Sequence, residues 1–186
     1  MTIEPFPLPD QIHTIVLDFD GVFTDNKVWV DQDGRESVRC DRADGLAFDM
    51  LRHAQAQGAL SVDVFILSKE PNPVVLSRAK KLQLACQHGI RDKRAFLSDH
   101  FTRLRPDDPN PFTGLLYVGN DLNDAPVMRK AGWAAAPADA HPAVRAIANI
   151  HLTAAGGHGC VRELVERLLR INEMTEWELD ELISNC

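Results

Sequence analysis

The chain alternates between short, mainly apolar runs and longer segments in which apolar residues recur every three or four positions. Short apolar runs between polar or glycine residues are typical of buried strands, and the wider spacing indicates amphipathic helices. Alternating strands and helices predict an α/β fold, a parallel sheet with helices on both faces. Strands are predicted at 12–17, 62–67, 84–86, 115–118, 133–136 and 149–152, and helices at 47–58, 75–82, 97–104 and 161–169.

A β-hairpin is predicted directly after the first strand, in segment 22–39. Asp33-Gly34 lies between two short segments of strand character, and Asp-Gly is a strong hairpin signal. A two-stranded ribbon is marginally stable alone, so the apolar residues around Trp29 predict an interface; the alternative is that Trp29 folds back onto its own domain. The remaining chain is divided into an N-terminal extension (1–11), one main domain (12–172) and an acidic, partly apolar tail (173–186) that docks on a neighbour or frays.

Composition narrows the class of protein. A chain of 186 residues suits one domain, and a net charge of −7 without a basic run argues against nucleic-acid binding. The apolar stretches are shorter than the roughly 18 residues of a membrane span, and the N-terminus lacks the features of a signal peptide. The four cysteines lie far apart without a CxxC pair, which favours reduced thiols. We therefore expect a soluble cytoplasmic protein that binds neither membrane nor nucleic acid.

Candidate chemistry begins at Asp18 and Asp20, which follow the first apolar run and precede Gly21. Side chains at i and i+2 of an extended backbone point the same way, so the two carboxylates lie on the same side of the chain. Two such charges near a core favour a bound cation, and carboxylates with a cation are suited to phosphoryl transfer. An acidic turn after a strand is the ordinary alternative, and DxDG alone does not decide between them.

Polar residues also follow three later predicted strands: Ser68, Lys93 and the segment 119–124, GNDLND. Each alone has an ordinary reading as a turn residue, a solvated lysine or a helix cap. A parallel sheet brings strand ends to one edge, so their order together predicts a site for phosphate-ester hydrolysis. Asp18 is then the nucleophile, Asp20 the acid and base, and Ser68 and Lys93 bind the phosphoryl oxygens. The predicted Mg²⁺ ligands are Asp18, Asp20, Asn120, Asp121 and Asp124.

Residues near this edge are candidates for substrate binding. Arg42 and Asp44, after the hairpin, either line the substrate pocket or form a turn with Asp44 as a helix N-cap. Arg78 is a further substrate-binding candidate, for which a solvated helix face is the alternative. The glycine-rich segment 156–159 precedes a helix N-terminus, where backbone amides can bind an anion such as a substrate carboxylate.

The chain resembles the haloacid dehalogenase superfamily, which orders DxD, Ser or Thr, Lys and an acidic GDxxxD-like motif in this way. Within it, VLDFDGVFTD, RADG, NPVVLSRAKKL, YVGNDLNDAPVM, PADAHP and GGHGCVRE resemble the small branch of sugar-acid phosphatases that lacks a cap domain. This resemblance implies a Rossmann-like domain, Mg²⁺, a homotetramer built through the hairpin, and 3-deoxy-octulosonate 8-phosphate or a nine-carbon ulosonate 9-phosphate as substrate. It also extends to the phosphatase-like module of some acylneuraminate cytidylyltransferases, so a weakly active oligomerisation module is an alternative.

Two departures from the family pattern bear on function. Asn120 stands where the family usually has an aspartate that binds the metal, and an amide oxygen contributes no charge. Ser68-Lys69-Glu70 replaces the Thr-Gly-Arg of the octulosonate enzymes, and Glu70 matches the nonulosonate enzymes. Glu70 is therefore a predicted substrate-binding residue, and a nine-carbon substrate is favoured over the eight-carbon one.

Overall fold

The computed structural model describes residues 6–186, so the start of the predicted N-terminal extension, residues 1–5, lies outside the described part. The strands are β1 (Thr14–Leu17), β2 (Trp29–Val30), β3 (Glu36–Ser37), β4 (Asp63–Leu67), β5 (Ala85–Gln87), β6 (Leu115–Val118), β7 (Trp133–Ala136) and β8 (Ile150–His151). The helices are α1 (Ala43–Ala56), α2 (Val74–Leu82), α3 (Lys93–Leu104), α4 (Ala125–Met128), α5 (Pro142–Arg145), α6 (Cys160–Leu168) and α7 (Glu176–Ser184). Short 3₁₀ turns lie at Pro9–Gln11, Pro111–Gly114 and Ile171–Glu173.

Six strands form one parallel sheet in the order β5-β4-β1-β6-β7-β8. The first strand lies in the interior of the sheet, where Leu17 pairs with Ile66 of β4 on one side and Val118 of β6 on the other. The predicted α/β class is therefore confirmed. The chain reverses its direction of growth along the sheet between β1 and β6, and ligands bind at such switch points in open α/β sheets.

Both faces of the sheet are covered, as the near-continuous apolar character of its strands requires. Ile15 and Leu17 pack with α1, α2, α6 and Leu182 of α7 in one core cluster. Val16, between them in sequence, packs on the opposite face with residues of α3, α4 and α5. Alternation along the strand thus divides the core in two, and helices close each half.

The predicted hairpin forms after β1, with β2 and β3 antiparallel. Asp31 Oδ1 accepts hydrogen bonds from the amides of Asp33 and Arg35, which hold the turn. Sheet and helix elements make up most of the remaining described chain, so the expectation of a small hairpin insertion without a large cap domain is confirmed. Val28, Trp29 and Val30 are 53%, 57% and 59% exposed on this ribbon.

The acidic tail forms helix α7, which packs against α1. Thr175 and Glu178 form a capping box at its start, and Leu182 joins the core with 7% exposure. Trp177 is left 69% exposed. The division of the chain at residues 11 and 173 stays a prediction.

Two further sequence expectations concern local chemistry. Asp44 is not the N-cap of α1: Arg42 occupies that position, and the side chain of Asp41 accepts a hydrogen bond from the Ala43 amide at 2.9 Å. The helix begins two residues earlier than an N-cap at Asp44 would give, which places Asp44 in the first turn. All four cysteines are free thiols.

No helix within residues 6–186 has the length and apolar character needed to cross a bilayer.

Candidate active site

A cavity of about 710 Å³ lies at the carboxyl ends of the central strands. Asp18 directly follows β1, Ser68 follows β4 and Asn120 follows β6 with one residue between. The sheet thus brings together predicted site residues that are distant in sequence. The cavity is lined by Asp18, Asp20, Asn26, Ser68, Lys69, Glu70, Pro71, Gly89, Arg91, Asn120, Asp121, Leu122 and Asn123.

Asp18 is only 5% exposed, at the inner wall of the cavity. Its Oδ1 accepts hydrogen bonds from Lys93 Nζ and from the Phe19 amide, both at 2.7 Å. These two donors occupy Oδ1, so Oδ2 is the oxygen left for a ligand in the cavity. Burial, together with the nearby Asp124 carboxylate, raises the pKa of Asp18 to about 8, although Lys93 and the Phe19 amide act in the opposite direction.

Lys93 links this carboxylate to a second one, Asp124. Its Nζ lies 2.8 Å from Asp124 Oδ1, and both side chains are almost completely buried. Burial lowers the pKa of Lys93, but the carboxylates of Asp18 and Asp124 outweigh this effect and raise it. The lysine is therefore held charged beside the nucleophile candidate.

Asp124 accepts four hydrogen bonds. Its Oδ1 accepts hydrogen bonds from Lys93 Nζ at 2.8 Å and from the Tyr117 hydroxyl at 2.7 Å. Its Oδ2 accepts hydrogen bonds from the backbone amides of Asn120 and Asp121 at 3.0 and 3.3 Å. A carboxylate has about four acceptor positions, so this set uses all of them. The geometry argues against the predicted role of Asp124 as a metal ligand, because no oxygen position is left for an ion.

Tyr117 is a member of this network that the sequence reasoning missed. It lies within the apolar run of β6 and is fully buried, and its hydroxyl donates to Asp124. Burial and the Asp124 carboxylate raise its pKa well above the usual range, so it remains a donor. The sequence could have identified Tyr117 because it is a tyrosine in an otherwise apolar strand, and a buried tyrosine hydroxyl generally has a hydrogen-bond partner.

Asp20 is partly exposed in the cavity beside Glu70. Burial and, next, the negative charge of Glu70 raise the pKa of Asp20. Ser68 is buried, and its Oγ accepts a hydrogen bond from the Glu70 amide at 3.0 Å while its hydroxyl proton remains available for a ligand. Glu70 Oε1 accepts from the Asn72 amide at 2.9 Å, which fixes this side chain in the cavity wall.

The metal-binding potential of the site centres on Asn120. It is 7% exposed, and its Oδ1 is buried without a hydrogen-bond partner within residues 6–186. Gly21 makes room for it, because a Cβ there would lie 1.9 Å from Asn120 Nδ2. No group of three His, Cys, Asp or Glu in the described chain is arranged to hold a metal. The free amide oxygen of Asn120 is therefore available to an ion at this edge, and Asp18 and Asp20 stay predicted ligands beside it.

Three predicted substrate-binding residues do not line the cavity. Arg42 is exposed at the start of α1, Asp44 is 1% exposed, and Arg78 donates to the Asp41 carbonyl at 2.5 Å. Arg78 and Asp44 nevertheless lie in the neighbourhood of Asp20, since all three affect the pKa of the Cys40 thiol. Their role in substrate binding stays a prediction.

The polar residues Asn26, Lys69 and Arg91 also line the cavity, although they were not among the predicted site residues. Lys69 lies in the Ser68–Glu70 loop, and Arg91 lies in the loop after β5, two positions before Lys93. The position of Arg91 after a predicted strand was the signal that could have identified it.

Comparison with known proteins identifies the family. No family model matches the chain. The 3-deoxy-D-manno-octulosonate 8-phosphate phosphatase KdsC of Escherichia coli K12 is 31% identical over 173 residues, which cover 92% of this chain and 85% of that protein. A HAD family hydrolase structure from Streptomyces avermitilis is 39% identical with a TM-score of 0.77, covering 90% of this chain and 97% of that one.

A second solved structure is the 3-deoxy-D-manno-octulosonate 8-phosphate phosphatase of Moraxella catarrhalis, in complex with magnesium, phosphate and KDO. It is 25% identical with a TM-score of 0.77, and the match covers 94% of this chain and 92% of that one. The sheet and the hairpin agree with the family that the motifs indicate. The chain belongs to the KdsC-like phosphatase branch of the haloacid dehalogenase superfamily and is a phosphoric monoester hydrolase.

Proposed function

We propose that the protein hydrolyses the phosphate ester of a phosphorylated ulosonic acid through an aspartyl-phosphate. The observation that carries this proposal is the buried chain of contacts from Asp18 through Lys93 to Asp124, at the edge of a cavity. It holds a carboxylate and a cation in fixed positions, as the attack of a nucleophile on a charged phosphoryl group requires.

Asp18 Oδ2 attacks phosphorus, and the bond from phosphorus to the substrate oxygen breaks. Asp20 donates its proton to the departing oxygen, for which the raised pKa of Asp20 is suited. Asp20, now ionised, takes a proton from water, which attacks the aspartyl-phosphate and releases inorganic phosphate. Lys93 and the Ser68 hydroxyl stabilise charge on the equatorial phosphoryl oxygens during both steps.

Mg²⁺ is the proposed cofactor, which Asp18 and Asn120 Oδ1 would hold together with the backbone carbonyl of Asp20, so that the Asp20 side chain keeps its proton for the reaction. Asp121 at the cavity edge is a further candidate ligand. When bound, it supplies positive charge that stabilises the phosphoryl group and favours the ionised form of Asp18. The unpartnered, buried Asn120 Oδ1 supports this arrangement, because a buried acceptor without a partner is unfavourable. The complex of the Moraxella relative with magnesium supports it as well.

Asp18→Asn tests the catalytic assignment. We expect at least a 1,000-fold loss of turnover, since an amide is a poor nucleophile, with unchanged far-UV circular dichroism. Asp99→Asn, an exposed carboxylate on α3, is the matched control and retains turnover. Turnover by Asp18→Asn near the control level would refute the mechanism.

Chelation and Asn120→Asp test the metal. A chelator should abolish turnover and Mg²⁺ should restore it, and the added charge of Asn120→Asp should tighten Mg²⁺ binding about tenfold, measured by activation curves and calorimetry. Full turnover in chelator would exclude Mg²⁺ dependence. An unchanged Mg²⁺ affinity in the variant would show that Asn120 is not a ligand.

The proposed substrate is 3-deoxy-D-manno-octulosonate 8-phosphate, after the names of the relatives. A nine-carbon ulosonate 9-phosphate is the second candidate, favoured by Glu70 in the cavity wall, where its carboxylate would accept hydrogen bonds from hydroxyl or amine groups. Comparing kcat/KM for the two compounds decides between them. A third alternative, a weakly active oligomerisation module, requires negligible turnover of both.

We further propose a homotetramer in which hairpins pair, and a cytoplasmic location. The exposed apolar residues Val28, Trp29 and Val30 support the assembly, since a neighbouring subunit would bury them. Light scattering should report about four chains, and Trp29→Asp should lower both mass and activity. A control at the exposed Trp177 of α7, Trp177→Asp, should leave the mass unchanged. A fully active wild-type monomer would refute the assembly.

A further inference from the structure

Two cations on the cavity wall, Lys69 and Arg91, have no role in the reaction described above. Lys93 is already engaged by Asp18 and Asp124. The guanidinium of Arg91 forms no hydrogen bond or ion pair with any side chain of residues 6–186, and it is exposed to the cavity. Arg91 therefore has its full set of donors available for a ligand.

The backbone before Arg91 is fixed against the catalytic loop. The Ile90 amide donates to the Ser68 carbonyl at 3.0 Å, and the Gly89 amide donates to the Glu70 carbonyl at 3.1 Å. After Arg91, Asp92 caps α3 by accepting a hydrogen bond from the Ala95 amide at 2.9 Å. The backbone on both sides of Arg91 is therefore fixed by hydrogen bonds. Because of this, the Arg91 side chain can reach only one region of the cavity wall.

The charges of the cavity make this region the place for a second anionic group. Asp18, Asp20, Glu70 and Asp121 all line the cavity and disfavour negative charge. A sugar acid phosphate carries a phosphoryl group, which Asp18 and Lys93 receive, and a carboxylate that needs its own cation. A guanidinium binds a carboxylate with two parallel hydrogen bonds, whereas Lys69 offers a point charge on a flexible stem.

We propose that Arg91 binds the carboxylate of the substrate and so selects phosphorylated sugar acids over neutral sugar phosphates. This inference rests on the proposed phosphatase function, and it adds the residue that recognises the end of the substrate away from the reacting phosphorus. Lys69, on the same wall, contributes long-range attraction.

Kinetics with two substrates test the proposal: 3-deoxy-D-manno-octulosonate 8-phosphate carries a carboxylate, and p-nitrophenyl phosphate does not. Arg91→Ala should raise KM for the sugar acid phosphate about 10- to 100-fold, the range for losing a charged hydrogen-bonded contact. This loss in kcat/KM should exceed the loss on p-nitrophenyl phosphate at least tenfold. Arg91→Lys should fall between Arg91→Ala and wild type. The matched control is Arg94→Ala, an exposed arginine on α3.

Equal losses on the two substrates would assign Arg91 to the phosphoryl group and overturn the proposal, as would no loss on either. Binding of the free sugar acid, measured by calorimetry, separates this proposal from the proposed function. If wild type hydrolyses neither substrate, the proposed function fails. Sugar-acid binding that Arg91→Ala weakens and Arg94→Ala preserves would still support the carboxylate contact. Equal binding by the two variants, or none by wild type, would overturn it.

Discussion

Asp124 and Asp44 are both buried carboxylates near the same edge of the sheet, with 0% and 1% exposure, and their surroundings are opposite. Asp124 accepts hydrogen bonds from a lysine, a tyrosine and two backbone amides. Neither oxygen of Asp44 has a hydrogen-bond partner within residues 6–186. The same residue type at the same burial therefore has a full set of hydrogen-bond donors in one place and no well-formed hydrogen bond in the other.

Burial alone therefore does not give a carboxylate its role. At Asp124 the donors offset the cost of desolvation, and the carboxylate can hold Lys93 in position for the reaction. At Asp44, burial and the neighbouring charge of Asp41 raise the pKa to about 7, against the smaller opposing effects of the Arg78 charge and of the backbone amide and charge of Arg162. Asp124 thus positions the site, whereas Asp44 makes the stability of the protein depend on pH.

Asp124→Ala should have the largest effect of the changes that test this comparison. It removes one of two carboxylates from a buried lysine and all acceptors from Tyr117, so we expect a loss of about 3–5 kcal/mol in the free energy of unfolding. Turnover should fall at least 100-fold because Lys93 is no longer fixed. Urea unfolding and initial rates measure both, with the exposed Asp107→Ala as control. A variant with normal stability would show that Asp124 is not compensated as the hydrogen bonds indicate.

Asp44→Asn should stabilise the protein, and the gain should depend on pH. The folded-state pKa of about 7 lies above the ordinary value of 3.8, so between these values the folded state retains a proton that the unfolded state releases. The favourable contribution is complete below pH 4 and is lost as the pH rises through 7. The variant avoids this loss, so its advantage should be near zero below pH 4 and grow to at most about 4 kcal/mol above pH 7.

Urea unfolding of wild type and Asp44→Asn across pH 4 to 8 measures this difference directly. A difference in stability that stays constant over the whole range would contradict the raised pKa of Asp44. Asp49→Asn, on the same helix and less buried, is the matched control and should show a smaller pH dependence.

Tyr117→Phe should have the smallest effect, since it removes one of the four donors to Asp124 and keeps the ring in the core. We expect a loss of about 1–2 kcal/mol in the free energy of unfolding, and a loss of turnover below tenfold. Thermal unfolding and initial rates measure both. An effect as large as that of Asp124→Ala would mean that the hydroxyl, rather than the lysine and amides, maintains the network.

The loops that form the candidate site were predicted from the sequence. The hydrogen bonds between their side chains were not. Asp18, Ser68 and Asn120 were expected at one edge because each follows a strand of a parallel sheet, and the structure places them in one cavity. Tyr117 and Arg91 were missed. The role of Asp124 could not be read from GNDLND, because a strand end predicts the location of a side chain and not the direction of its oxygens.

The α/β class, the strands, the hairpin and the edge at which the site lies could be predicted from the sequence, because they follow from local periodicity and from turn chemistry repeated along the chain. Tertiary structure alone decided which carboxylate is compensated. Lys93 and Tyr117 reach Asp124 from α3 and β6, while Asp44 is buried on α1 and accepts no well-formed hydrogen bond within residues 6–186. Hydrogen bonds and charge effects act over a few ångströms between residues far apart in sequence, so only the folded arrangement fixes them.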